Sequence, residues 1–322
     1  MRAIRLHEFG PAGNLRLDEL PDPLPGAGQV RVAVGAAGVH KLDTTLRRGI
    51  RMGPAPLPQL PSVPGREVAG VVDALGPDVP PALLGRRVVV HLGPKGSGGY
   101  AEQVLAEADR LHAIPPGVRD EVAVAAIGTG RTALLVLDQA RPTADDVVLV
   151  TAAAGGLGSI FVQVVKRAGA TVIGLAGGPD KVARALALGA DQAVDYTAPG
   201  WPGQVSAAPT LLLDGVGGEP GRAALELLAP GGRILIFGWS AGEPTELTTA
   251  DLLARGLTAG AALGPAALGD PGRIRALEER SLAAVAAGHW TIPTTAFPLA
   301  QAAAAHEALE QRATTGKVVL IP

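Results

Sequence analysis

The sequence predicts an α/β protein in which a doubly wound parallel sheet is joined to a mostly β region. Three observations carry this. Up to about Pro116 the chain is short, alternating or β-branched runs broken by Gly and Pro. After Pro115-Pro116, apolar runs of four to six residues alternate with helical stretches, which is the pattern of βαβ units. The chain also has 322 residues, more than a single hydrophobic core usually serves.

The N-terminal strands are read at MRAIRLHEF, NLRLDELPD, QVRVAVGAAGV, EVAGVVDAL, RRVVVHL and YAEQVLAE. Between the third and fourth lies PAPLPQLPSVPG (54–65), whose five prolines deny backbone donors and predict an extended loop. The second half then reads VVLVT, GLGSIFVQVVKRAGA, TVIGLA, DKVARALALGA, QAVDY, TLLLDGV, PGRAALELLAP, GRILIFG and GLTAGAAL, strand and helix by turns. From about Pro265 come the helices IRALEERSLAAVAAG and AQAAAAHEALE, then a last strand, KVVLIP.

Composition narrows the function classes. Apolar residues make up 47% and charged residues 18%, which excludes a disordered chain. Aromatics are only 3%, so Ala, Val and Leu must build the core, and a flat substrate gains no broad aromatic platform. A net charge of -2 gives no reason to expect nucleic acid or an anionic membrane as partner. No cysteine is present, which excludes disulfides, thiolate zinc sites and a cysteine nucleophile and suits a cytoplasmic setting. MRAIRLHEFGP lacks the apolar stretch of a signal peptide. Val147–Val165 carries no charge over nearly a membrane span, but its glycines, Ser159 and Gln163 point to a soluble segment.

The chemistry-bearing motif is the turn inside VVLVTAAAGGLGSIFVQVV. It fits G-x-G-x-x-G as Ala153, Gly155 and Gly158, with alanine in the first place. Between a strand and a helix, such a turn aims unpaired N–H groups at a pyrophosphate. Gly155, Gly156 and Leu157 would line the approach, and Gly158 would let helix pack on strand. A site for NAD normally ends its second strand with Asp or Glu to hold the ribose 2′-hydroxyl. Here TVIGLA is followed by Gly177 and Gly178, with no carboxylate, and Lys181 opens the next helix, where a cation opposes the helix dipole. A 2′-phosphate accounts for that lysine, with a solvated surface residue as the alternative, and NADPH is the expected cofactor.

With these features in view, the chain resembles the zinc-free quinone oxidoreductase (zeta-crystallin-like) branch of the medium-chain dehydrogenase/reductase superfamily. Seven ordered segments carry the resemblance: GVHKLDTTLRRG (38–49), PSVPGREVAGVV (61–72), GGYAE (98–102), AAAGGLGS (152–159), LALGADQAVDY (186–196), LDGVGG (213–218) and TTGKVVL (314–320). It implies a GroES-like catalytic domain split between residues 1–120 and 265–322, around a Rossmann NADPH-binding domain at 121–264. It further implies a sheet order of 3-2-1-4-5-6, a cleft between domains for nicotinamide and substrate, and a homodimer joined near Gly256–Leu263. Its 2′-phosphate contacts fall on Lys181 and Tyr196. Gly215, Val216, Phe237 and Gly238 would line the nicotinamide end, and Thr132 is either a neighbour of the ring or a helix-start hydroxyl.

This chain departs from the branch in its cleft segment, where Asn and Tyr give way to His40 and Thr45. His40 becomes the candidate proton donor or substrate-orienting group, or a hydrogen-bonding wall. Asp43 is the second candidate catalytic residue, but a brace of its loop is the reading its position favours. Thr45, Arg51 and Thr132 are candidate pocket residues, and Arg47, Arg48 and Arg51 either attract an acidic or CoA-type substrate or are simply solvated. In zinc-dependent relatives the stretch matching Gly65-Arg66-Glu67 supplies a histidine ligand; Arg66 stands there instead, and a guanidinium cannot ligate. Glu67 is expected to be structural, with Arg66 as its partner. The resulting expectation is a metal-free, NADPH-dependent reductase of a quinone or an α,β-unsaturated carbonyl compound. The alternatives are a non-catalytic NADPH-binding protein and a zinc alcohol dehydrogenase.

Overall fold

A computed structural model describes residues 1–51, 57–93 and 97–322. The start of the proline-rich 54–65 segment therefore lies outside the described residues, and 57–65 has no regular structure beyond an isolated bridge at Ser62.

The first part of the chain forms β1 (Arg2–Leu6), β2 (Leu15–Glu19), β3 (Gln29–Val39), helix α1 (Lys41–Arg47), β4 (Glu67–Leu75), β5 (Arg87–His91), β6 (Gln103–Glu107), β7 (His112–Ala113) and α2 (Asp120–Ala125). Alternation decides their faces. In β3 and β4, Val30 and Val32, and Val68 and Val72, are fully buried on the face that a period of two sends to one core, while the start of β4 is buried on both faces. A π-helical turn, Ala126–Gly130, follows α2 and leads into α3 (Arg131–Ala140).

The middle of the chain forms β8 (Val147–Val150), α4 (Gly156–Arg167), β9 (Thr171–Ala176), α5 (Pro179–Ala187), β10 (Gln192–Asp195), β11 (Leu211–Asp214), α6 (Gly218–Glu226), β12 (Arg233–Ile236), α7 (Thr249–Arg255), β13 (Thr258–Ala261) and α8 (Pro265–Leu268). Then come α9 (Pro271–Ala286), β14 (Thr294–Pro298), α10 (Ala302–Glu310) and β15 (Lys317–Ile321).

Two compact units result: Met1–Thr129 with Glu278–Gly288 and Ile292–Pro322, and Gly130–Leu277 with His289–Thr291. The first holds the sheet β14-β15-β3-β4-β5-β7, with β6 also on β3, and the hairpin β1-β2. Its pairs are antiparallel apart from β14 with β15. The second holds the parallel sheet β10-β9-β8-β11-β12-β13, which is the order 3-2-1-4-5-6. Val148, Leu149 and Val150 of β8 and Leu211, Leu212 and Leu213 of β11 are fully buried, so these central strands read as unbroken apolar runs. Each such side chain contributes roughly 1.5–3 kcal/mol of burial.

Residues 265–277 group with the parallel-sheet unit, although the sequence assigns everything from 265 to the catalytic part. The boundary falls inside α9, a continuous helix whose pattern carries no turn signal to mark it. Sequence reading also passes over α1 and β14. In α1 the threonines and arginines mask a helix whose start is fixed by Asp43, which accepts the His40 N–H at 2.8 Å.

Candidate active site

In the parallel-sheet unit, β8 ends at Val150 and the chain turns through Ala152, a non-glycine residue at φ +50. Gly155 then caps α4 in an extended conformation. A Cβ on Gly158 would lie 2.2 Å from the Ala152 carbonyl oxygen and 2.8 Å from the Ala153 Cα, so only glycine lets α4 sit this close to the turn. Ala153 is fully buried and donates its N–H to Leu175 of β9 at 2.9 Å, while Gly155, Gly156 and Leu157 stay partly open. The first-turn N–H groups of α4 thus stand at the end of β8, next to where the strand order reverses.

Ala176 ends β9, and Gly177 and Gly178 follow without a carboxylate. The acid at the end of the neighbouring strand β10, Asp195, is already committed. Its Oδ1 accepts from Gly178 N at 3.0 Å, Thr197 N at 2.9 Å and Thr197 Oγ1 at 2.6 Å. These bonds lower its pKa, the Gly178 amide foremost. Tyr196 closes over Gly177, where a Cβ would meet the phenol oxygen at 3.5 Å. Lys181 stands in the first turn of α5, half-exposed. The structure therefore brings Tyr196 to the end of β9 and sets Lys181 four residues beyond Gly177.

At the ends of β11 and β12, Gly215 accommodates the Phe237 ring, since a Cβ there would fall 2.2 Å from a ring carbon. Phe237 also packs edge-to-face on Phe161, with centroids 5.1 Å apart. Gly238 lies alongside, with its Cβ position 3.5 Å from the Gly215 carbonyl, and Val216 is buried. Sequence reading names these four residues but misses the group that organises them. Asp214 is completely buried: Oδ1 accepts from Thr151 Oγ1 at 3.0 Å and from the amides of Val216 and Gly217 at 3.0 and 3.3 Å, and Oδ2 accepts from Thr245 Oγ1. One carboxylate so ties the loops after β8, β11 and β12. Thr132 occupies the second position of α3, half-buried, after the N-cap Gly130.

The other unit gathers a separate polar cluster. Glu67, the first residue of β4, has no solvent exposure. Its Oε1 lies 2.9 Å from His40 Nε2 and 2.6 Å from Lys317 Nζ, both as charge contacts outside good hydrogen-bond alignment. The contacts of Glu67 are thus His40 and Lys317 rather than the expected Arg66, which lies in the bend before β4. Gly38 and Gly128 make the room, since Cβ atoms there would fall 2.1 and 1.8 Å from the carboxylate oxygens. Burial pushes the Glu67 carboxyl up, but the charges of His40 and Lys317 outweigh it and hold the group well below the usual carboxylate range. His40 is a quarter exposed, whereas Lys317 is 4% exposed.

Asp43, the other candidate catalytic residue, is buried and faces inward. Besides the His40 amide, its Oδ2 accepts from Tyr100 Oη at 3.2 Å, and Tyr100 Oη lies 3.1 Å from His306 Nε2. Burial, followed by Asp43, raises the Tyr100 phenol, and burial pulls His306 down to about 4. Asp43 is thus a brace for α1. Thr45 is half-exposed and donates to the Lys41 carbonyl at 3.2 Å. Arg51 and Arg48 are exposed, but Arg47 is buried against Glu310 and belongs to the packing rather than to an electropositive patch.

The donor set does not fit a zinc ion. Among the described residues, no three His, Asp or Glu side chains gather as a metal site, and the chain has no cysteine. Glu67, the carboxylate beside His40, is taken by the Lys317 ammonium. No described helix is long and apolar enough to cross a membrane.

Comparison with known proteins agrees with this geometry. Residues 188–320 match the family described as zinc-binding dehydrogenase, and residues 26–116 match the alcohol dehydrogenase GroES-like domain. The chain is 33% identical to a 2-haloacrylate reductase of a Burkholderia species, over 99% of this chain and 98% of that protein. It is likewise 33% identical to a quinone oxidoreductase of Pseudomonas aeruginosa, over 100% and 99%. Two solved structures cover 100% of both chains: an NAD-dependent alcohol dehydrogenase, at 32% identity and a TM-score of 0.88, and Escherichia coli quinone oxidoreductase complexed with NADPH, at 28% and 0.87. The Rossmann sheet order, the GroES-like domain and full-length relatives at this identity place the chain in the medium-chain dehydrogenase/reductase superfamily, as a member of its zinc-free quinone oxidoreductase branch.

Proposed function

We propose that the protein is an NADPH-dependent, metal-free reductase of quinones or α,β-unsaturated carbonyl compounds. The observation that carries this reading is the end of β9, where Gly177 and Gly178 follow without a carboxylate, Tyr196 covers Gly177 and Lys181 stands in the first turn of α5. It favours NADPH over the NAD named for one structural neighbour, and the Escherichia coli relative was solved with NADPH.

The first-turn amides of α4 with Gly155, Gly156 and Leu157 would hold the pyrophosphate, and Lys181 with Tyr196 the 2′-phosphate. Gly215, Val216, Phe237, Gly238 and Thr132 would hold the nicotinamide end. When bound, NADPH supplies the hydride. His40 then hands a proton to the α-carbon of an enolate and is recharged from water, while the oxygens of a reduced quinone take their protons from water directly. Asp43 fixes the first turn of α1 behind His40, and Thr45 and Arg51 flank the acceptor. An acceptor already conjugated to its carbonyl requires no metal to polarise it, provided a hydrogen-bond donor meets the developing charge. A homodimer through the edge strand β13, in a cytoplasmic setting, belongs to the same proposal.

The test is oxidation of NADPH and NADH with 9,10-phenanthrenequinone and with 2-cyclohexenone. Turnover of either acceptor with preference for NADPH is expected. Cofactor binding without turnover of either would favour a non-catalytic role instead.

A further inference from the structure

The contacts of Glu67 raise a question that a purely structural role leaves open. A carboxylate with no exposure is costly to bury, and one cation suffices to offset its charge. Glu67 has two: Lys317, itself almost fully buried, and His40, which reaches the surface with a quarter of its side chain exposed. Both meet the same oxygen, Oε1. The two cations differ in kind. A lysine ammonium keeps its charge through the neutral range, whereas an imidazole exchanges its proton there.

We propose that Lys317 and Glu67 are the positioning pair of the proton donor, with Lys317 keeping Glu67 anionic while His40 cycles between its charged and neutral forms. The proposal rests on the reading of His40 as that donor. The balance of the step is simple. Hydride from NADPH forms a C–H bond at the β-carbon of the enone, and the C=C pair moves to an enolate. The His40 N–H bond then breaks, its proton forms the new bond to the α-carbon, and water returns a proton to the imidazole. During the interval in which His40 is neutral, Glu67 would be an uncompensated anion in a dry socket if Lys317 were absent. The carboxylate would then take up the proton itself, and the imidazole would lose the charge that orients it.

Other groups face the socket and set its field. His91, which pairs with Glu67 across β4 and β5, also acts on the carboxylate electrostatically. Arg66 precedes Glu67 in the chain. Gly38 and Gly128 wall the carboxylate with backbone and contribute no ionisable group.

Three variants separate positioning from packing: Lys317→Met, which keeps length and drops the charge; Lys317→Arg, which keeps the charge; and Glu67→Gln, which identifies the Glu67 band by difference. The first readout is the infrared carboxyl spectrum of the protein without cofactor or substrate at pH about 9, above the ordinary imidazole range. Expected is an ionised Glu67 in the parent and in Lys317→Arg, and a protonated carbonyl band in Lys317→Met. The second readout is turnover. Lys317→Met is expected to lose about 100-fold in kcat on 2-cyclohexenone, the scale of a lost general acid. The KM for NADPH and the kcat on 9,10-phenanthrenequinone, whose reduced oxygens take protons from water, should stay within about threefold, and Lys317→Arg should restore most of the enone rate.

An ionised Glu67 in Lys317→Met overturns the proposal, as does an equal loss on both acceptors. If Lys317→Met fails to fold, Lys317→Arg and Glu67→Gln carry the test: Glu67→Gln must lower the enone rate selectively, and an unselective loss overturns the proposal. Should the parent reduce neither acceptor, the proposed function fails, while the infrared bands still decide whether Lys317 holds Glu67 ionised.

Discussion

Replacing Gly128 with alanine tests the Glu67 socket directly. The added Cβ would lie 1.8 Å from Oε2 and 2.6 Å from the carboxyl carbon. An unstrained carbon–oxygen contact is about 3.4 Å, so the carboxylate has to retreat by roughly 1.5 Å. The Gly38 backbone limits the retreat, because an added Cβ there would be 2.1 Å from Oε1 and its Cα therefore already packs against the carboxylate. Any motion that relieves the clash lengthens the 2.6 Å contact to Lys317 and the 2.9 Å contact to His40. Overpacking alone costs about 1–3 kcal/mol, and separating a buried charge from its partners about 3–5 kcal/mol when complete. Partial separation puts Gly128→Ala at about 3–5 kcal/mol, which lowers the Tm by about 10 °C for a unit of this size. Thermal melts followed by circular dichroism would measure it in two backgrounds. In Glu67→Ala the clash disappears, and the same substitution should cost less than about 1 kcal/mol. Equal costs in both backgrounds, or a Gly128→Ala melt within about 2 °C of the parent, would refute the socket.

The remaining predictions address cofactor and acid sensitivity. Lys181→Ala should raise the KM for NADPH about 10- to 100-fold and barely change that for NADH, the scale of one charge-assisted contact; equal weakening in steady-state kinetics removes the 2′-phosphate assignment. Gly158→Ala places a Cβ 2.2 Å from the Ala152 carbonyl, so the turn must open, and fluorescence titration should show at least a tenfold loss of NADPH affinity. Normal affinity would mean that the pyrophosphate lies elsewhere. His306 is held near 4 against an ordinary 6.5, so the unfolded chain binds a proton that the folded one rejects. Stability is therefore unaffected above pH 6.5 and falls by up to about 3 kcal/mol as pH drops to 4, and urea melts of His306→Gln should lose that slope. Acid titration of Glu67 has the same sign but sets in lower, because its carboxyl stays ionised well below the usual range.

What was legible in the sequence was local. Alternation and apolar runs identify most strands, and the turn between β8 and α4 announces itself through Gly155 and Gly158. The acid-free end of β9 could be read because it lies within one βαβ unit. Lys317 could not be read in the same way: its role arises from β15 lying beside β3, which brings it to Glu67 across 250 residues of chain. Tyr100, Asp43 and His306 form a buried chain through the same kind of long-range closure, and nothing in their local patterns marks it. Asp214 sat within a quoted segment, yet its role depends on Thr245, whose approach only the folded sheet reveals. Arg47 escapes the sequence for a different reason: a charged residue in a short polar stretch looks solvated, whereas here α1 turns it inward.

Asp214 has a consequence for the kinetics of cofactor capture. Its carboxylate joins Thr151, Val216, Gly217 and Thr245 with the site's own hydrogen bonds, all made within the chain. The crevice at the ends of β8, β11 and β12 is thus assembled in advance, and little ordering entropy is left to lose when a ligand arrives. Association should then run at a rate set by encounter rather than by loop rearrangement. The amides of Val216 and Gly217 should be slow to exchange with solvent in the free protein, and NADPH should slow them little further.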